Sequence, residues 1–113
     1  MRESKKGQGC PEIESIRKVG NEVRLIVVSR LINRPLRFKE LLEAANGVDA
    51  KSLSRVLKYL ASEGIVGREV LNTAPLAVRY SLTEKGKELG PVVEALRKWG
   101  ERWVLPQEII VKN

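Results

Sequence analysis

The sequence predicts a mainly α fold with one small β-hairpin, an α+β arrangement in a single domain. Three observations predict it. Apolar residues recur at helical spacing up to Gly64 and again after Thr83. Between Ile65 and Leu82 the spacing switches to the two-residue alternation of strands. The chain has 113 residues, 42% hydrophobic and 31% charged, which suits one globular core and not a disordered chain.

The elements follow in order. Residues 1 to about 9 are polar, basic and glycine-containing, and read as a flexible N-terminal arm; the folded domain is expected over 10–113. Pro11 sits where a first helical turn begins, because its missing N–H is unneeded there. A first helix runs to Val19 and is interrupted at Gly20-Asn21. A second spans Glu22 to Ile32, with Val23, Ile26, Val27 and Leu31 on its core side, and Asn33-Arg34-Pro35 ends it. Leu36-Arg37-Phe38 is a brief extended segment.

A third helix, from about Phe38 to Ala45, puts Phe38, Leu41, Leu42 and Ala45 on one face. Asn46-Gly47 is a turn. The fourth helix has the clearest ends: Asp49 as N-cap and Gly64 as a left-handed terminator. Leu53, Val56, Leu57 and Leu60 face inward. The hairpin follows over about 65–82, with Asn72-Thr73-Ala74-Pro75 as its turn and Val78, Tyr80 and Leu82 alternating with Arg79 and Ser81. Thr83 caps a last helix over about 84–104, with a break at Gly90-Pro91.

Charge and missing residue types bound the function. Twenty-one Lys and Arg against fourteen Asp and Glu leave a net charge of +7, which suits a polyanionic partner: DNA, RNA or an anionic membrane surface. No stretch approaches the ~18 apolar residues of a membrane span, and no apolar signal region follows the first residues. With a single cysteine, Cys10, no internal disulfide forms, so a cytoplasmic protein is expected. The chain has no His, and Asp49 is its one Asp. That removes the His-based catalytic arrangements and nearly all transition-metal sites, and no Gly-rich phosphate loop is present. No enzyme activity, metal or cofactor is expected.

Helices followed by a hairpin and a long helix make the winged helix-turn-helix plan, with added N- and C-terminal helices for dimerisation. In that plan the later helix of the pair enters the major groove, and the hairpin, or wing, reaches the backbone or minor groove. The recognition helix is then about 50–63. Its outer face carries Lys51, Ser52, Ser54, Arg55 and Lys58, and between Ala44 and Ser62 the one acid is the cap Asp49. Lys and Arg bind phosphates, Arg forks onto guanine, and Ser bonds either bases or phosphates. Arg68 and Arg79 on the hairpin, and Arg37 and Lys39 at the third helix, complete the candidate DNA contacts. An ordinary solvated face is the alternative reading, but such faces usually mix both charge signs.

Several stretches, in order and spacing, resemble the HxlR-type transcriptional regulators, relatives of the MarR group. They are Cys10-Pro11, Leu36-Arg37-Phe38-Lys39-Glu40-Leu41, Lys51 to Leu60, Glu63-Gly64-Ile65-Val66, Val78 to Gly86, and Leu96-Arg97-Lys98-Trp99-Gly100. The likeness runs from about Cys10 to Trp103. One departure is clear: after Val19-Gly20 the family usually has glycine, lysine and tryptophan, whereas here Asn21-Glu22-Val23 stands. The resemblance implies a dimeric DNA-binding regulator whose terminal helices pair. It places Ser52, Ser54, Arg55 and Lys58 in the recognition helix, and it implies that the Cys10 position serves some members as a redox or electrophile sensor.

The residues add to both implications. Cys10 stands at a helix start with Arg2, Lys5 and Lys6 close in sequence, an environment suited to a reactive thiol; a small packing residue is the plainer reading. Leu89, Val92, Val93, Leu96, Trp99 and Trp103 would leave a long apolar stripe on a monomer, so they are the expected dimer interface. A homodimer would read an approximate inverted repeat in double-stranded DNA. The expected function is a sequence-specific transcription regulator, a repressor. The alternative is a winged helix used for protein interaction or as an architectural nucleic-acid-binding module. The low aromatic content, 4%, argues against base stacking on a platform.

Overall fold

A computed structural model describes residues 9–105. The expected basic arm lies outside them but for Gly9, as does the chain after residue 105. Helix α1, Pro11–Val19, has Pro11 in its first turn and ends on Gly20, whose N–H donates to the Ile16 carbonyl. Helix α2, Glu22–Leu31, is capped by Asn21, whose side chain accepts the Arg24 N–H at 3.1 Å.

Strand β1 is Leu36–Arg37 and helix α3 is Phe38–Ala44. Helix α4, Ala50–Ser62, leads into strands β2, Val66–Thr73, and β3, Leu76–Leu82. A single turn, α5, Glu84–Lys87, precedes α6, Gly90–Trp103. Among the described residues no helix is long and apolar enough to cross a membrane.

The sheet is larger than the expected hairpin. β1 pairs antiparallel with β3, Leu36 opposite Tyr80 and Arg37 opposite Arg79, so the strand order is β1-β3-β2. The wing is also longer and its turn tighter. Asn72 and Thr73 pair with Ala77 and Leu76, which leaves Ala74-Pro75 between the strands, and a bulge interrupts the register between Val70 and Asn72. Backbone pairing here overrides the turn preference of Asn and Thr.

The core lies where α2, α3 and α4 meet the base of the sheet. Val27, Val28, Leu31, Leu41, Leu53, Leu57 and Leu60 are buried there with Ile65, Val66 and Leu82. On α2 the expected Ile26 is only half-buried and Val28 is fully buried. The reason is its position: α2 touches α3, α4, α6 and β3, so its buried side is wider than one stripe. The helix break falls at Glu88-Leu89, just before the expected Gly90-Pro91, and Pro91 sits harmlessly in the first turn of α6.

Candidate nucleic-acid interface

The α3–α4 pair is joined by a turn that needs left-handed backbone. Asn46 and Gly47 have φ of 57° and 97°, which an Asn and a Gly accommodate with little strain. The chain thereby reverses within a few residues and delivers Asp49 as the cap of α4. Its Oδ1 accepts the Ser52 N–H at 2.7 Å. That bond, then the Ser52 hydroxyl and the nearby Arg55 charge, hold the Asp49 carboxyl below its ordinary pKa. At the other end Gly64, with φ of 76°, closes the helix. Its N–H donates to the Ala61 carbonyl and the Ile65 N–H to the Leu60 carbonyl, the paired bonds of a Schellman motif.

Between these ends α4 has two faces. Leu53, Leu57 and Leu60 are buried. Lys51, Arg55 and Lys58, with the same i, i+4, i+7 spacing but two residues earlier, are exposed on the opposite side. Ser52 and Ser54 are half-buried beside them. Asp49, the cap, is the acid nearest in sequence. Among the described residues none of the three cations has an ion-pair partner.

The remaining candidates divide. Arg68 lies opposite Tyr80, on the sheet face that carries Leu36 and Leu82. Arg79 lies opposite Glu69 on one side and Arg37 on the other. Its Nε and Nη2 donate to Glu69 Oε1 at 3.2 and 2.7 Å, so this arginine is engaged within the wing. Arg37 ends β1 and is the N-cap residue of α3, where its N–H donates to Glu40 Oε1 at 2.8 Å. Arg37, Lys39 and Arg68 line one cleft between the start of α3 and β3.

The α6 stripe also divides. Leu89 and Val93 pack on the chain's own core. Val92, Leu96, Trp99 and Trp103 stand outside, the last two 60% and 63% exposed. Glu94, Arg97 and Glu101 form an ion-paired row on the far side of the helix. On α1, Ile13 and Ile16 are exposed as well.

Cys10 is the N-cap residue of α1, and its Sγ–H donates to Glu12 Oε1 at 3.4 Å. A backbone hydrogen bond and then this thiol hold the Glu12 carboxyl below its ordinary pKa. The described neighbour of the thiol is thus an acid; Arg2, Lys5 and Lys6 lie outside the described residues.

Two structural arginines and a tyrosine escaped sequence reasoning. Arg30 Nε donates to the Ala44 carbonyl at 2.7 Å and satisfies the end of α3. Arg24 stacks over the Tyr59 ring at 3.7 Å and donates to the carbonyls of Arg17 and Lys18. The Tyr59 hydroxyl donates to the Lys18 carbonyl at 2.9 Å, and Lys18 pairs with Glu63 at 3.1 Å, which raises the Lys18 pKa. Together they tie α1 to the C-terminal end of α4. No local sequence signal marks such contacts, whose partners are 6 to 45 residues apart and lie on different helices.

A tight helix pair, an unpaired cationic face on its second helix and a two-stranded wing beside it define a winged helix-turn-helix domain. The pattern of the HxlR-like helix-turn-helix family matches residues 18–108. The HTH-type transcriptional regulator YvaP of Bacillus subtilis is 35% identical over 98 residues, covering 86% of this chain and 91% of YvaP. A solved structure described as a MarR-family transcriptional regulator of Porphyromonas gingivalis W83 superimposes with a TM-score of 0.80 at 27% identity, over 84% of this chain and 93% of that one. The redox regulator HypR in its reduced form gives 0.78 at 32% identity, over 87% and 99% of the two chains. The chain belongs to the HxlR-like helix-turn-helix family.

Proposed function

We propose that this protein is a sequence-specific, double-stranded-DNA-binding transcription regulator, working in the cytoplasm by binding and not by catalysis. The observation that carries the reading is the outer face of α4. It presents three cations and two serines with no paired acid, directly opposite the leucines that anchor the helix. In the major groove Arg55 would fork onto a guanine edge, Lys51 and Lys58 would hold phosphates, and Ser52 and Ser54 would bond bases or backbone. Arg37, Lys39 and Arg68 would add backbone contacts. Arg79 would join them only by leaving Glu69.

The working form is a homodimer. Val92, Leu96, Trp99 and Trp103 form an exposed apolar line along α6, and Ile13 and Ile16 extend the apolar surface on α1. Two-fold pairing sets two recognition helices about 34–36 Å apart, so the operator is an approximate inverted repeat. Repression is the mode this plan carries most simply, since an occupied operator excludes another protein from the same groove. Cys10, the one cysteine, is read as a redox or electrophile sensor; the likeness to a redox regulator supports this.

The test is genomic footprinting of the bound protein, with the recovered sites aligned. Inverted half-sites one DNA turn apart are the expected result. Recovered sites without shared sequence would point instead to an architectural role.

A further inference from the structure

Helix α1 has no buried residue. Val19, its last, is half-buried against the core, whereas Ile13 and Ile16 are 42% and 64% exposed. Apolar packing therefore fixes where α1 ends and does little to fix the direction in which it runs. On α6 the case is different, because Leu89 and Val93 hold the start of that helix to the core.

The direction of α1 is set by polar groups of α2 and α4. The last carbonyls of a helix have no partner within it. Those of Arg17 and Lys18 accept from Arg24 Nη1 at 3.3 and 2.9 Å, and the Lys18 carbonyl also accepts from the Tyr59 hydroxyl at 2.9 Å. The Arg24 guanidinium lies 3.7 Å from the centre of the Tyr59 ring, so each donor holds the other in place. The Lys18 side chain is more than half exposed, so its pair with Glu63 adds little. Tyr59 follows Lys58 of the cationic face and precedes the buried Leu60. The helix that presents the cations thus also carries the group that steers α1.

We propose that Tyr59 is a positioning residue: it sets the pitch of α1 against α4, and through α1 it sets the half-site spacing that the dimer accepts. The proposal rests on the readings of α4 as the DNA-facing helix and of α1 and α6 as the dimer surface. In that dimer α1 lies against the partner and α4 lies in the groove, so the angle between them helps to fix the separation of the two α4 helices. An operator of the wrong spacing is bound only by opening this clamp. The strength of the clamp therefore caps the penalty for wrong spacing.

The full-length protein is titrated onto duplexes that carry the recovered operator with its centre lengthened or shortened by one or two base pairs, and onto a single half-site. Wild type should bind one spacing tightest. Loss of one hydrogen bond of this kind is worth about fivefold in an equilibrium, so Tyr59→Phe should reduce the preference for that spacing over its neighbours by about fivefold. Tyr59→Leu, which removes the ring as well, should reduce it about tenfold. Affinity for the single half-site and the mass seen by light scattering should stay as in wild type. In Tyr59→Phe, Arg24 still holds the Lys18 carbonyl, so the thermal midpoint should move little.

A wild-type spacing profile in both variants would overturn the clamp. So would an equal loss on every duplex and on the half-site, the mark of a tyrosine that only supports the fold. In either case a wild type with one preferred spacing leaves the readings of α4 and of the dimer standing. A wild type indifferent to spacing would overturn the dimer reading, and one that binds no duplex the reading of α4, and each would take the clamp with it.

Discussion

Gly86 sits where the chain leaves the wing, and an alanine there tests the packing that holds wing and body together. Thr83 Oγ1 reaches back to the carbonyls of Gly64 and Ile65 at 2.6 and 3.2 Å, and the Thr83 N–H donates to the Ile65 carbonyl at 3.0 Å. This draws α5 onto the end of α4. A Cβ on Gly86 would lie 2.2 Å from the Ile65 carbonyl oxygen and 3.2 Å from Ile65 Cγ2.

Ile65 cannot retreat easily. It is 3% exposed in the core, and its carbonyl already holds Thr83. Alanine is the better helix former by about 1 kcal/mol. Overpacking a fixed site costs about 1–3 kcal/mol, and loosening the Thr83 bond costs about 1 more. The net expectation is a loss of about 1–3 kcal/mol. Gly100, inside α6, has nothing within 4 Å of the same added atom. Gly100→Ala should therefore gain up to about 1 kcal/mol.

Urea and thermal unfolding at fixed protein concentration measure both. One kcal/mol moves the midpoint by about 4–8 °C in a domain of this size, so the two variants should separate clearly and in opposite directions. Gly86→Ala with a midpoint at or above wild type would show instead that helix propensity outweighs the contact.

Three further outcomes are expected. Leu96→Glu places a charge in the exposed apolar line of α6 and should lower the mass seen by light scattering from twice 12.7 kDa towards one chain; a variant still at twice that mass would move the interface elsewhere. The lowered Asp49 pKa means that its contribution to stability is complete above the ordinary carboxylate range and disappears as the pH falls through the folded value, below about pH 4. The thermal-midpoint difference between wild type and Asp49→Ala should accordingly shrink between pH 7 and pH 3, and a constant difference would count against the cap. Diamide should reduce DNA binding by wild type and leave Cys10→Ser unaffected; an equal response in both would remove Cys10 from the mechanism.

Local chemistry explains what could be read from the sequence. The ends of α4 are written in Asp49 and Gly64, and its inner face in leucines at helical spacing, so both that helix and the turn before it were legible. β1 was not legible as part of a sheet, because two residues carry no alternation and their partner, β3, is some forty residues on. Val28 was missed because a helix packed from several sides has no single stripe.

The α6 residues read as one stripe, yet the break at Leu89 turns Leu89 and Val93 to the core and leaves the tryptophans outside. Arg68 and Arg79 looked alike in sequence; only the strand register sets one against Tyr80 and the other against Glu69. The basic character of the candidate site was therefore visible, whereas which of its arginines is ion-paired and which is free needed long-range pairing.

If the outer face of α4 holds DNA, the salt dependence of binding must run through its three cations. Wild type and the triple variant Lys51→Ala, Arg55→Ala, Lys58→Ala are compared on a duplex carrying a recovered operator and on a random-sequence duplex. All three side chains are exposed, so the variant should keep the wild-type fold by circular dichroism. The slope against log salt should be shallower by about 2–3 on both duplexes, and most of the preference for the operator should be lost. A folded triple variant that binds the operator as tightly as wild type, with the same slope, would contradict the reading of α4.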